Sequence, residues 1–214
     1  IFLSSIFNFK FLENYQDKFT LKSINISGVS HEDKKNIEKE LYKLKNTNIF
    51  KIKEDKVLDK LSKFNFIESI YVKKIMPSSI NVNLSKTSIL GKTFINGEEF
   101  YIGKNRKFIN SNQIFEKYKT ATVFGEFEIN EFLNLYNILN NQKVEIVNIE
   151  EYYYFKNKRW DLVFSNGLIL KLPSKNIIDS IKIYKQLLDN KNLSNTKIID
   201  LRVINQIIMT NKNE

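Results

Sequence analysis

Nucleophilic and acid–base catalysis need a thiol, an imidazole or paired carboxylates held within hydrogen-bond reach of one another. This chain of 214 residues has one histidine, His31, and no cysteine. His31 lies in Ser30-His31-Glu32-Asp33, a helix-start pattern in which a lone imidazole is an ordinary surface or capping residue. The lack of cysteine excludes disulfides, thiolate metal sites and thiol catalysis. Carboxylates are plentiful, but they sit in Lys-rich helical stretches where solvated i,i+4 pairs are the usual arrangement. The glycines (Gly28, Gly91, Gly97, Gly103, Gly125 and Gly167) are isolated, so no Gly-rich phosphate loop follows a strand. The sequence therefore offers no catalytic residue, no metal ligand set and no cofactor site. It reads as a binding module and not an enzyme.

Charge narrows the partners. Lys and Arg outnumber Asp and Glu by 34 to 24, a formal net charge of +10, which favours anionic partners. Arginine, the residue suited to bidentate base and phosphate recognition, occurs only at Arg106, Arg159 and Arg202. The lysines are spread along the chain instead of gathering with aromatics on one face, so no nucleic-acid partner is expected. The run Lys51, Lys53, Lys56, Lys60, Lys63, Lys73 and Lys74 would suit anionic lipid headgroups. The opening Ile1 to Phe7 is apolar but shorter than the ~20 residues a spanning helix needs. It is either the end of a spanning helix that begins before Ile1 or a short apolar segment packed on the protein.

The elements that would position any site follow from periodicity. Residues 1–18 read as a membrane-proximal segment or linker. Phe19 to Ile26 alternates as a half-buried strand, and Gly28 ends it. Ser30 with Asp33 three residues on predicts a capped helix carrying Ile37, Leu41 and Leu44, followed by a second helix from Glu54 with Val57, Leu58 and Leu61. Phe66 to Val72 and Ile80 to Leu84 read as strands around a Met76-Pro77 turn. Residues 19–87 thus form a β-α-α-β-β unit. Residues 88–209 form a second domain, predicted to be mainly antiparallel β with flanking helices, so the fold class is α+β. Its hairpins turn at Asn96-Gly97 and Asn166-Gly167. Helices are expected near 129–140 and from about Ser174. A final strand is expected to run unbroken from Ile198 to Met209, with 210–214 as a tail.

Two stretches carry a family resemblance. Ser27-Gly28, with Ile67, Ile70, Val72, Pro77, Ile80 and Val82 at their spacing, resembles a POTRA domain. Arg159-Trp160-Asp161-Leu162, Ser165-Asn166-Gly167, Leu172-Pro173 and Ile199-Asp200-Leu201-Arg202 are similar to the C-terminal β domain of the FtsQ/DivIB cell-division proteins, of the proteobacterial FtsQ type. The chain departs from that pattern at the domain junction, where Ser85 and Ser88 replace an acidic residue and a proline. It also has Ile102-Gly103-Lys104-Asn105-Arg106 where Ile-Asp-x-x-Gly is usual.

The resemblance implies a single-pass inner-membrane protein with this chain on the periplasmic side, at the division septum. It would act as a scaffold linking early and late division proteins and bind an FtsB/FtsL-like subcomplex. By position, the edge strand that receives the partner would be Val203, Ile204, Asn205, Gln206 and Ile207. The stretch has no charge and no proline. The alternative is that it pairs inside the sheet or is simply core. Lys158 or Arg159 would reach an acidic group on the partner, or Lys158 would simply be solvated. Trp160, Asp200, Leu201 and Arg202 are read as structural, with Trp160 in the core. Asp200 and Arg202 would pair with each other or with a neighbouring strand. Other division proteins would meet the POTRA domain, with Phe66 to Lys73 as a candidate edge. The competing reading is a POTRA-containing component of outer-membrane protein assembly or two-partner secretion.

Overall fold

The computed structural model describes residues 18–190, 193–203 and 205–212. The expected membrane-proximal segment up to residue 17, and Ile204, lie outside the described residues. Packing divides the chain into two units. One runs to Thr87 and takes in Asn112–Phe115; the other holds Ser88–Ser111 and the chain from Glu116 onward.

In the first unit, β1 (Ser23–Ser27), α1 (His31–Tyr42), α2 (Glu54–Leu61), β2 (Ile67–Ile75) and β3 (Ser79–Lys86) build a three-stranded sheet of order β1-β3-β2. The central β3 pairs in parallel with β1 and antiparallel with β2. Each element shows its buried face in sequence. Ile37 and Leu41 on α1 and Val57 and Leu61 on α2 are spaced i,i+4, and Ile80, Val82 and Leu84 alternate along β3. On the opposite face the strands exchange polar side chains: Ser23 with Ser79 at 2.6 Å, Asn25 with Asn81 at 3.0 Å, Ser27 with Asn83 at 2.6 Å and Ser69 with Ser85 at 2.7 Å. Gly28 has φ +88°, and a Cβ there would lie 1.7 Å from the Leu84 carbonyl oxygen, so only glycine lets the end of β1 lie this close to β3.

Ser30 caps α1 by accepting from the Asp33 amide at 3.2 Å. The Asp33 side chain does not complete a capping box. It is buried, accepting from Lys86 Nζ at 3.1 Å and the Phe115 amide at 3.2 Å. An aspartate is too short to reach back to the cap, and here it finds stronger donors.

The second unit is a nine-stranded sheet of order β12-β11-β10-β9-β8-β7-β4-β5-β6. Its strands are β4 (Ile89–Ile95), β5 (Glu98–Gly103), β6 (Phe108–Asn110), β7 (Thr122–Phe124), β8 (Ile149–Tyr154), β9 (Trp160–Phe164), β10 (Ile169–Lys171), β11 (Thr196–Asp200) and β12 (Ile208–Asn211). Its helices are α3 (Ile129–Asn141) and α4 (Ile177–Asn190). Antiparallel pairings predominate; β4–β7, β7–β8 and β10–β11 are parallel. A core of Phe132, Leu135 and Leu139 from α3, Ile181 and Tyr184 from α4, and Tyr152, Leu162, Leu170 and Ile199 from the sheet lies along one sheet face. Gly125 after β7 has φ +107°, and a Cβ there would meet the Tyr154 carbonyl oxygen at 2.3 Å.

The expected unbroken strand from Ile198 to Met209 is two strands. β11 stops at Asp200, the chain reverses between Val203 and Gln206, and β12 returns antiparallel to β11. The turn is closed by the Gln206 amide donating to the Val203 carbonyl at 3.2 Å, with Asn205 at φ +62°. Asparagine tolerates this left-handed conformation, whereas a continuing strand forbids it. Thr210 and Asn211, expected in the tail, belong to β12.

Candidate partner-binding edge

β12 closes one end of the large sheet. It has four residues, Ile208-Met209-Thr210-Asn211, with no charge among them. Inside, it is held by β11: Asp200 lies opposite Ile208, Ile199 opposite Met209 and Ile198 opposite Thr210. Just beyond, the Lys212 amide donates to the Asn195 carbonyl at 2.9 Å, so the Lys212 N–H points into the sheet. Alternation along the strand then turns the Thr210 and Ile208 amides inward and the Met209 and Asn211 amides outward. Among the described residues nothing pairs with the outward row, an open half-ladder of the kind on which a strand from another chain can be added.

The sequence placed the edge at Val203, Ile204, Asn205, Gln206 and Ile207. The structure places the described members of that set in the turn and the short connection before β12, not in a strand. Val203, Asn205, Gln206 and Ile207 line a groove of about 310 Å³ together with Ser180 and Ile183 of α4. Val203, Ile207 and Ile208 are about half exposed, at 49%, 47% and 50%. An open half-ladder and a groove with apolar walls therefore lie next to each other in sequence. The missed signal was Asn205, a residue that favours turns inside an otherwise apolar run.

The Asp-Leu-Arg motif anchors this edge. Asp200 ends β11 and accepts from the Arg202 amide at 3.0 Å and from Arg202 Nε at 2.8 Å, while the Arg202 guanidinium also holds its second oxygen. Hydrogen bonding from Arg202 keeps the Asp200 carboxyl below the usual aspartate range, against burial, which works the other way. Leu201 is buried, and its amide donates to the Lys171 carbonyl at 2.9 Å, fixing where the chain leaves the sheet. The sequence left two partners open for Asp200 and Arg202; the structure pairs them with each other.

Asp161, opposite Lys171, is a group the site reading missed. It is buried, and its Oδ1 has no hydrogen-bond partner among the described residues. Burial pushes its carboxyl up, while Lys171, Arg159 and Arg202 pull it back. Arg159, Asp161, Lys171, Asp200 and Arg202 thus form one charge cluster across β9, β10 and β11. Arg159 also stacks over the Phe155 ring at 4.4 Å, and its Nε is likewise without a partner among the described residues. Lys158 is exposed at the tip of the β8–β9 hairpin, at φ +63°. Trp160 is 3% exposed and packs 4.7 Å from Tyr154 and 6.1 Å from Phe127, as a core residue should. Among the described residues no cluster of His, Asp and Glu could hold a metal ion, and no helix is long and apolar enough to cross a membrane.

Sequence similarity to known proteins covers most of the described chain. Residues 19–86 match the FtsQ-type POTRA domain, and residues 96–202 match the C-terminal domain of cell division protein FtsQ/DivIB. Cell division protein FtsQ of Rickettsia bellii is 27% identical over 194 residues, covering 86% of this chain and 69% of that protein. FtsQ of Rickettsia typhi is 25% identical over 192 residues, covering 86% and 70%. The major extracytoplasmic domain of the trans isomer of DivIB from Geobacillus stearothermophilus aligns with a TM-score of 0.34 at 11% identity, over 50% of this chain and 99% of that one. With an FtsQ-type POTRA domain followed by the matching C-terminal domain, this chain belongs to the FtsQ/DivIB family of cell-division proteins.

Proposed function

We propose that this chain is a non-catalytic scaffold of the division septum that takes an extended segment of an FtsB/FtsL-like partner by strand addition to β12. The observation that carries this reading is the uncharged outer strand with outward amides at Met209 and Asn211. Main-chain hydrogen bonds would supply affinity, and the groove of Val203, Asn205, Gln206 and Ile207 would take side chains of the incoming segment. The Arg159, Lys171 and Arg202 side of the charge cluster suits an acidic partner residue. Such a pair at an exposed rim contributes ~0–1 kcal/mol and acts mainly on orientation and encounter rate. Family membership supports a periplasmic placement next to the inner membrane, with a spanning helix ahead of the POTRA unit. In the first unit β2 is likewise an outer strand and is the surface we assign to other division proteins.

The test is calorimetric titration of the chain with the periplasmic segment of the FtsB-like protein from the same genome. Met209→Pro removes an outward N–H, which an edge strand tolerates, so the fold should persist while affinity falls by ~100-fold or more. Thr210→Pro removes an inward N–H and should instead destabilise the sheet. Equal binding by wild type and folded Met209→Pro would rule out strand addition at β12.

A further inference from the structure

A cavity of about 840 Å³ in the second unit lies between the start of β4, the β5–β6 turn and α3. In sheet order it is at the β4–β6 side, far from β12. Lys104 and Arg106 from the turn and Asn130, Asn134, Asn137 and Asn140 from α3 line it, and no carboxylate does. Neither cation has an ion-pair partner, and none of the four carboxamides has a side-chain hydrogen bond, among the described residues. Convergent donors and acceptors without internal partners are what a polar ligand site presents.

Two features set this surface apart from ordinary solvated polarity. Arg106 sits at φ +64°, in the left-handed region that favours glycine. The turn is closed by the Arg106 amide donating to the Gly103 carbonyl at 3.1 Å and the Gly103 amide donating to the Lys107 carbonyl at 3.0 Å, so the conformation is imposed by the hairpin. A glycine would fit it with less strain but would bring no guanidinium to the cavity. The α3 residues Asn130, Asn134 and Asn137 are spaced i, i+4, i+7, and asparagine is a poor helix former. Such a face weakens its own helix, and it presents a column of amides about 15 Å long from Asn130 to Asn140.

We infer that this cavity docks an acidic, extended polypeptide segment. Each asparagine carries a donor and an acceptor together, the pairing that a main-chain amide presents, and about 15 Å accommodates four to five extended residues. Lys104 and Arg106 at one end take carboxylates, Arg106 in a bidentate manner. A glycan is the less favoured occupant, because Tyr136 is the one aromatic among the lining residues and it is only partly exposed.

The test is fluorescence anisotropy of the whole chain with a labelled decapeptide of alternating Glu and Ser, with the Lys-Ser decapeptide and chitotetraose as comparisons. Wild type should bind the acidic peptide, and added salt should weaken binding. Arg106→Gly should lose ~10-fold in affinity while its Tm stays at or above wild type, a combination that a structural role for Arg106 does not produce. The double variant Asn134→Ala/Asn137→Ala should lose about fivefold with the same salt dependence, separating the amide column from general attraction to a basic protein. The inference is overturned if wild type does not bind the acidic peptide, if both variants bind as wild type does, or if chitotetraose displaces the peptide.

Discussion

The outer strands β2 and β12 meet the same hazard in opposite ways. β2 has nine residues and presents Glu68, Lys73 and Lys74 along its length. β12 has four residues, no charge, and a half-exposed apolar residue, Ile208, at its start. Charges on a long edge discourage uninvited pairing; a short strand limits it by offering few hydrogen bonds. β2 is therefore guarded by charges that a partner there would have to match, and β12 is guarded only by length. On the proposed function, the uncharged edge beside this groove is the one that a partner covers. The supports differ too. β2 pairs with β3 from Ile67 to Ile75, whereas β12 pairs with β11 only from Ile208 to Asn211, and the exit of β11 is fixed by the Asp200–Arg202 pair.

The largest effect expected is at Gly28, which lets β1 approach β3. Gly28→Val meets the Leu84 carbonyl and an unfavourable positive φ together, and should cost ~3 kcal/mol or more in urea-induced unfolding. Unfolding of the small sheet that left partner binding at β12 intact would sharpen the contrast between the edges; joint loss would break it. Next is Asp200→Asn, which removes the charge from the bonds tying β11 to the loop before β12. It should cost about 2 kcal/mol at pH 7. The sign with pH follows from the depressed Asp200 carboxyl. The pair's contribution is full above the unfolded value of ~3.9 and is lost as pH falls through the lower folded value. Urea unfolding of wild type and Asp200→Asn across pH 2 to 7 should converge at the acid end. The smallest effect is Met209→Lys, which gives β12 the kind of charge that β2 carries. It should weaken partner binding by ~10-fold with little change in stability, read by calorimetry and thermal unfolding.

Much of this architecture could be read from residue periodicity. The i,i+4 pairs Ile37/Leu41 and Val57/Leu61, the alternation of Ile80, Val82 and Leu84, and the Asn-Gly turns each encode a local contact that the sequence shows directly. The resemblance at Trp160 and Asp200-Leu201-Arg202 located the second domain's framework. β6 and β7, three residues each, went unseen because a strand that short has no period to detect. Val203 to Ile207 misled because composition describes how a residue packs but not where the chain reverses. Asn205 sets that reversal through its φ.

The sequence by itself determined that there is no thiol, that the one histidine stands alone, and that a β-α-α-β-β unit precedes a strand-rich second domain. These are matters of residue type and local spacing. Only the tertiary structure decided which strand is outermost, which amides face outward, and that Asp161 is buried with one oxygen lacking a hydrogen-bond partner among the described residues. Strand order, and the burial of Asp161 within the Arg159–Arg202 charge cluster, depend on contacts between residues far apart in the chain, and no local pattern carries them.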